Sequence, residues 1–323
     1  MHILGLEGTA HTLGVGILDE EGNVLANVMK SYKPKEGIHP REAANHHASN
    51  MLPAINEALE TAGIVREDIS LVSFSQGPGL GPCLRTVATA ARALSLALKV
   101  PLVGVNHCIA HIEIGRLTTD CSDPVLLYAS GGNTQVIAFS RGRYRVFGET
   151  LDIGVGNMLD KFGRMNHMPF PAGPEIERRA SLAKGFVELP YSVKGMDVSF
   201  SGILTASLNS SSPLDDLCYS LQETVFAMLT EVTERALAHT SKNEVLLGGG
   251  VARNKRLRGM VETMAAERGA RAYAPPGPLC VDNGAMIAWT GYIMYKAGCE
   301  TPLEKSAVMQ NYRTDEVDIA WRK

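Results

Sequence analysis

The chain has 323 residues, 45% hydrophobic and 20% charged, with a formal net charge of -3. That length suffices for two domains, and the acidic balance excludes a nucleic-acid binder of the basic-tail kind. The 6 cysteines are scattered with no C-x-x-C pair, which excludes a zinc ribbon or disulfide scaffold and fits a reducing cytoplasm.

The opening, "MHILGLEGTA", has no charged n-region and no long apolar run, so no signal peptide is expected. Apolar runs on either side of "GTAHT", then the turn "DEEGN", predict two strands, a hairpin turn and a third strand. A helix follows over "PREAANHHASNMLPAINEALETAG", closed by Gly63. Its neighbours His46 and His47 diverge by about 100° on a helix, which suits packing or surface contact better than a shared metal. Next come strand "ISLVSFS", loop "QGPGLGPCLR", a helix over "TVATAARALSLALK" and strand "PLVGVN". The window covering that helix and strand contains Arg92 and Lys99, so no membrane span is expected.

The stretch "VNHCIAHIEIG" then places His107 and His111 four apart, on one face of a helix, as a single divalent metal requires. Taken alone, such a pair is more often coincidental. A zinc protease of the H-E-x-x-H type would carry glutamate where Cys108 stands.

Near residue 124 the pattern restarts, and "YASGGNTQVIAF" echoes "GLEGTAHTLGVGIL". Two halves, 1–124 and 125–323, each opening with strand, Gly/Thr turn and strand, predict a duplicated α/β architecture with a cleft between them. The last helix is expected to pack back on the first half. Either turn alone reads as a plain hairpin; as a pair they suit a phosphate-bearing ligand. Further on, "NEVLLGGGVARNKRLRG" is a strand, three glycines and a helix, a junction open to a nucleotide but lacking the G-x-G-x-x-G of a dinucleotide site. Arg253, Lys255, Arg256 and Arg258 form a small basic run there, either a solvated helix face or an RNA phosphate contact. A Pro/Gly loop then leads into a helix, with Asp282 in the loop or at the helix start.

Nine motifs in order, "GLEGT", "HPREAA" with "HHA", "SQGPGLGPCLR", "NHCIAHIEIGR", "YASGGNTQV", "DIGVGNMLDKFGR", "MDVSFSG", "LLGGGVARNKRLR" and "LCVDNGAMIAW", resemble the TsaD-type proteins. The close, "QNYRTDEVDIAW", resembles their archaeal and eukaryotic branch, the catalytic subunit of the KEOPS complex, whose older label is sialoglycoprotein endopeptidase. The resemblance implies an actin-like ATPase fold, that of sugar kinases and heat-shock proteins. The implied enzyme is a threonylcarbamoyltransferase that moves the threonylcarbamoyl group from threonylcarbamoyl-adenylate to the exocyclic amine of the adenosine 3′ of the anticodon. Its substrates are tRNAs reading codons that begin with adenine, and it releases AMP.

The resemblance further implies one divalent metal, iron or zinc, held by His107, His111 and Asp282, with Tyr128 as a further contact. It implies an adenine nucleotide (ATP or threonylcarbamoyl-adenylate), with Mg as an additional candidate. Matching places substrate binding at Tyr128, Ala129, Ser130, Gly131, Gly132, Asp160, Gly173, Glu177 and Asn254. Asp160 and Glu177 equally suit a helix N-cap and a first-turn acid, and Asn254 a helix cap. At the first turn the bacterial branch has aspartate where His11 stands, so Glu7 and His11 are the catalytic candidates for accepting a proton, with a structural role open for both. Ala172 replaces a glycine of many relatives. Implied partners are tRNA, a separate small kinase-like ATPase subunit and a small dimerising subunit, with no membrane. The alternatives are an ATP-dependent phosphotransferase or ATPase of the same superfold, a metalloendopeptidase, or a scaffold that only recruits tRNA.

Overall fold

The computed structural model describes residues 1–34 and 37–322. The first half contains β1 (His2–Glu7), β2 (Thr12–Asp19), β3 (Val24–Ser31), α1 (Pro40–Ala62), β4 (Ile69–Gly77), α2 (Gly81–Leu98), β5 (Leu102–Asn106) and α3 (His107–Thr118). Then follow β6 (Val125–Ala129), β7 (Thr134–Ser140), β8 (Arg143–Glu149), α4 (Val155–Met165), α5 (Gly173–Ala180), the two-residue strands β9 (Val193–Lys194) and β10 (Asp197–Val198), α6 (Ser201–Asn209) and α7 (Leu214–Thr240). The chain continues with β11 (Glu244–Gly248), α8 (Lys255–Glu267), β12 (Arg271–Tyr273), α9 (Gly277–Cys280) and α10 (Gly284–Lys296).

Two five-stranded sheets share one topology. The first runs β3-β2-β1-β4-β5 and the second β8-β7-β6-β11-β12. In each, the two hairpin pairs are antiparallel and the two crossover pairs parallel. Both sheets are built by one rule: a meander, then two strands returned by helical crossovers. The echo between the opening turns is therefore an architectural repeat, with β1 and β6 as equivalent central strands.

Alternation of side chains fixes the layers. Along β6, Val125, Leu127 and Ala129 enter a core with α4, α7 and α8, while Leu126 and Tyr128 enter another with α3. Helices α1 and α2 cover one face of the first sheet, and α3 and α10 the other. Helix α3 is thus shared. Ala110 and Ile114 pack towards the first sheet, Ile109 and Ile112 towards the second. Nothing about α3 is amphipathic, because every residue from His107 to Gly115 is buried.

Helix α10 lies directly on backbone. A Cβ on Gly284 would come within 2.1 Å of the Gly16 nitrogen, and one on Gly5 within 2.2 Å of the Gly284 carbonyl oxygen. That approach brings the residues just before α10 to the ends of β1 and β2.

Candidate metal centre and active site

Helix α3 starts at once after β5, with no loop. Asn106 is its N-cap; the Oδ1 accepts from the backbone N–H groups of Cys108 (3.0 Å) and Ile109 (3.2 Å). Its Nδ2 donates to the Tyr312 carbonyl at 3.1 Å, tying the cap to the C-terminal segment. Because the helix begins where the strand ends, His107 sits at the C-terminal end of β5 and His111 one turn further along α3.

The two rings converge on Asp282, which lies in the loop before α10. Its Oδ1 is 3.4 Å from His107 Nε2 and 3.3 Å from His111 Nε2. Ligand atoms of these three side chains all lie within 4.8 Å of one another. Tyr128, at the end of β6, places its hydroxyl 2.9 Å from His107 Nε2. Three segments distant in sequence, the start of α3, the approach to α10 and the end of β6, thus meet.

Behind His107 stands Glu7, the last residue of β1 and wholly buried. Its Oε2 is 3.0 Å from His107 Nδ1, and its Oε1 accepts from the Thr9 N–H (2.7 Å) and hydroxyl (2.6 Å). A carboxylate on Nδ1 selects the tautomer that leaves Nε2 free to bind.

Burial disfavours charge on His107, yet Glu7, Tyr128 and Asp282 together raise its pKa well above the ordinary imidazole value. Burial also opposes the Asp282 carboxylate, but the charge and hydrogen bonds of His107 and His111 hold its pKa well below normal. Two imidazole nitrogens and a carboxylate oxygen suit a divalent transition ion, so the residues present fit the implied metal. Burial raises the Tyr128 pKa, so its phenol needs to lose a proton before it can ligate as an anion.

Ser130 closes its own turn, donating its hydroxyl to the Asn133 carbonyl at 3.1 Å, while Gly131 and Gly132 are exposed. Ala129 is buried at the strand end. Asp160 lies inside α4 and is not its cap; its Oδ1 accepts from the Ala172 N–H at 2.8 Å. The Ala172 methyl is buried against Gly163, where a methyl on that glycine would meet it at 2.2 Å. Burial raises the Asp160 pKa, opposed by the Ala172 N–H and by His11. His11, half-buried at the first turn, meets the edge of Phe170 at 5.7 Å. Residues of the two halves therefore face each other here.

Gly173 opens α5. Glu177 is not in the first turn of its own helix: it accepts from the Lys255 N–H at 2.9 Å and so serves the start of α8. Asn254 caps α8, accepting from Arg256 and Leu257 and donating to Gln222 at 3.0 Å. The three glycines lead through a short 3-10 turn, Val251–Arg253, before α8 begins. The basic run is largely engaged. Arg256 grips Glu223 through two nitrogens, and Arg258 donates to the Ala252 carbonyl.

Three supporting residues escaped the sequence reading: Thr9, Asn106 and Gln222. Asn106 carried a signal, since asparagine directly before a helix is a strong cap. Gln222 and Thr9 carried none.

Paired sheets of one topology, with a polar site where their central strands end, define an α/β protein of the actin-like ATPase fold. Solved structures agree. The T. kodakarensis HypF crystal structure superposes with a TM-score of 0.65 at 15% identity, over 92% of this chain and 48% of that one. The (R)-2-hydroxyglutaryl-CoA dehydratase component A of Acidaminococcus fermentans gives 0.59 at 16% identity, over 93% and 100%. Such identities speak for the fold alone.

The family model TsaD, tRNA N6-adenosine threonylcarbamoyltransferase, matches residues 22–289, and the chain belongs to this family. A probable bifunctional tRNA threonylcarbamoyladenosine biosynthesis protein from Methanothermobacter thermautotrophicus is 61% identical, matching 100% of this chain. The chain spans only 61% of that relative's length. A tRNA N6-adenosine threonylcarbamoyltransferase from Thermococcus kodakarensis is 57% identical over 99% of this chain and 100% of its own length. Among the described residues no helix is long and apolar enough to cross a membrane.

Proposed function

We propose that the chain is a tRNA adenosine threonylcarbamoyltransferase. It moves the threonylcarbamoyl group from threonylcarbamoyl-adenylate to N6 of the adenosine 3′ of the anticodon and releases AMP. The observation that carries this reading is the convergence of His107, His111 and Asp282 between two matching sheets, in a chain of this family.

In the reaction N6 attacks the carbamoyl carbonyl carbon, the bond from that carbon to the adenylate phosphate oxygen breaks, and N6 gives up a proton. Held by His107, His111 and Asp282, with Tyr128 as a fourth contact, iron or zinc would supply positive charge to the adenylate phosphate. The turn Ala129–Gly132 lies at the end of β6, where exposed glycines admit a nucleotide close to backbone. Asp160, Gly173, Glu177 and Asn254 line the approach from the second half, with Asn254 and Glu177 acting mainly by fixing the start of α8. Both oxygens of Glu7 are engaged, so Glu7 orients His107. His11 has no side-chain hydrogen bond among the described residues and is the group free to accept the N6 proton. An anticodon-loop adenosine is single-stranded enough to enter such a cleft. The working assembly includes tRNA, a small kinase-like ATPase and a small dimerising subunit in the cytoplasm. The longer curated relatives are named bifunctional in tRNA threonylcarbamoyladenosine biosynthesis, which supports a second activity working beside this one.

The test supplies threonylcarbamoyl-adenylate, unmodified tRNA and the partner subunits, then measures threonylcarbamoyladenosine by nucleoside mass spectrometry. The modified nucleoside should accumulate one-for-one with AMP. Adenylate breakdown with tRNA left unmodified would sink the reading.

A further inference from the structure

Phenylalanine gains most from a core, and apart from Phe170 and the exposed Phe186 every phenylalanine of this chain packs into one. Phe170 is half-buried and joins none of the hydrophobic clusters among the described residues. Its ring contact is with His11, on the first turn of the other half. The two centroids are 5.7 Å apart and the ring planes cross at 82°.

The loop that carries Phe170 is fixed on both sides. After α4, the His167 N–H donates to the Arg164 carbonyl at 3.1 Å and the Met168 N–H to the Gly163 carbonyl at 2.8 Å. Two residues beyond Phe170, the Ala172 N–H donates to Asp160 at 2.8 Å. Met168 turns inward and packs on the core of the second half, whereas Phe170, two positions on, reaches the first half. Space is open beside the end of this loop, since a Cβ on Gly173 would meet nothing within 4 Å. A rigid loop thus holds an apolar ring out of the core, at the place where the two halves face each other.

We propose that Phe170 is the platform on which the target adenine of the tRNA stacks when it enters the cleft. A base drawn out of the anticodon loop loses its neighbours in the stack, and an aromatic side chain replaces them. Because His11 lies against the same ring, an adenine resting there brings its exocyclic edge to the imidazole that accepts the N6 proton. Every base has a π-face, so the ring holds the base without selecting it. The choice of adenine is left to polar groups at the base edge.

This inference rests on the proposed transfer to tRNA. It is tested with the full chain and its partner subunits, using two anticodon stem-loop RNAs, one with adenine at the target position and one abasic there. Wild type should bind the adenine form about tenfold more tightly than the abasic form. Phe170→Leu, which keeps an apolar side chain, should bring that ratio close to one, and Phe170→Tyr should keep it near the wild-type value. Affinity for an ATP analogue should be the same in all three proteins. An equal ratio in wild type and Phe170→Leu would overturn the proposal. So would an unchanged ratio with weaker binding of the ATP analogue, which would place the adenine of the adenylate on this ring instead. If wild type prefers the adenine form yet leaves complete tRNA unmodified, the stacking stands and the transferase reading falls.

Discussion

The Glu7 carboxylate stands 3.0 Å from the Nδ1 of His107, with both residues almost entirely buried. Glu7 is the last residue of β1 and His107 the first of α3, so the contact joins the central strand of the first sheet to the helix shared by both sheets. One sheet end thereby sets the orientation of a ring whose other nitrogen faces the second half.

From this follows the behaviour of Glu7→Gln. The amide can still accept a hydrogen bond but loses the charge, and second-shell changes of this kind weaken metal binding by about 10- to 100-fold. Metal affinity, measured by competition with a chelating dye, should fall while the far-UV spectrum stays unchanged. Undiminished metal affinity together with lost transfer would instead make Glu7 the proton acceptor.

Asp282→Asn should act more severely, since it replaces the shared anion that both Nε2 atoms face. Stoichiometric metal should disappear from the purified variant. An ion that binds only the folded state stabilises it, so a chelator should lower the wild-type Tm and leave that of the variant in place. Equal sensitivity of both proteins would count against the site.

Stability should depend on pH through His47, which is wholly buried behind the first turn. Burial holds its pKa down at about 4 against an ordinary 6.5. The unfolded chain then binds a proton below about 6.5 that the folded chain refuses until about 4. Stability is full above 6.5 and is lost as pH falls through that window, by roughly 3 kcal/mol at the low end. Urea midpoints at pH 7 and pH 5 should differ more for wild type than for His47→Gln. Identical differences would remove His47 from the pH response.

Gly284→Ala should be among the most damaging small substitutions. The new methyl would meet the Gly16 nitrogen at 2.1 Å and the Val15 carbonyl carbon at 2.4 Å, both backbone atoms unable to rotate away. Overpacking of a core costs about 1–3 kcal/mol and occasionally more. Helix α10 would have to lift from the sheet, carrying Asp282 with it. A drop in Tm of several degrees with reduced metal content is expected; an unaltered melt would contradict the close approach.

Apolar runs and glycine-bounded turns made both meanders and the crossover strands β4, β5 and β11 legible, because strands covered on both faces are apolar throughout. The short strand β12 was missed, its Tyr273 having been read into a Pro/Gly loop. The i, i+4 histidine pair was equally plain, since helical periodicity is local. The segment between residues 151 and 240 was not resolved into elements, although α4 to α7 lie there. Helix α7 buries residues around most of its circumference, which blurs any single apolar stripe. Asp160 and Glu177 show the same limit. Local rules offered a cap or first-turn acid, whereas one accepts from Ala172 across a loop and the other from the first residue of a separate helix.

By itself, the sequence determined the duplicated α/β plan, the pairing of His107 with His111 on one helix face and the family to which the chain belongs. The family resemblance implied Asp282, 171 positions beyond His111; only the tertiary structure brought its Oδ1 up to both Nε2 atoms and placed Glu7 behind His107 as its support. Spacing along a chain reports contacts within one or two turns of an element. Contacts between the end of β1, the start of α3, the end of β6 and the approach to α10 depend on glycine-scale packing of helix on sheet, which no local pattern encodes.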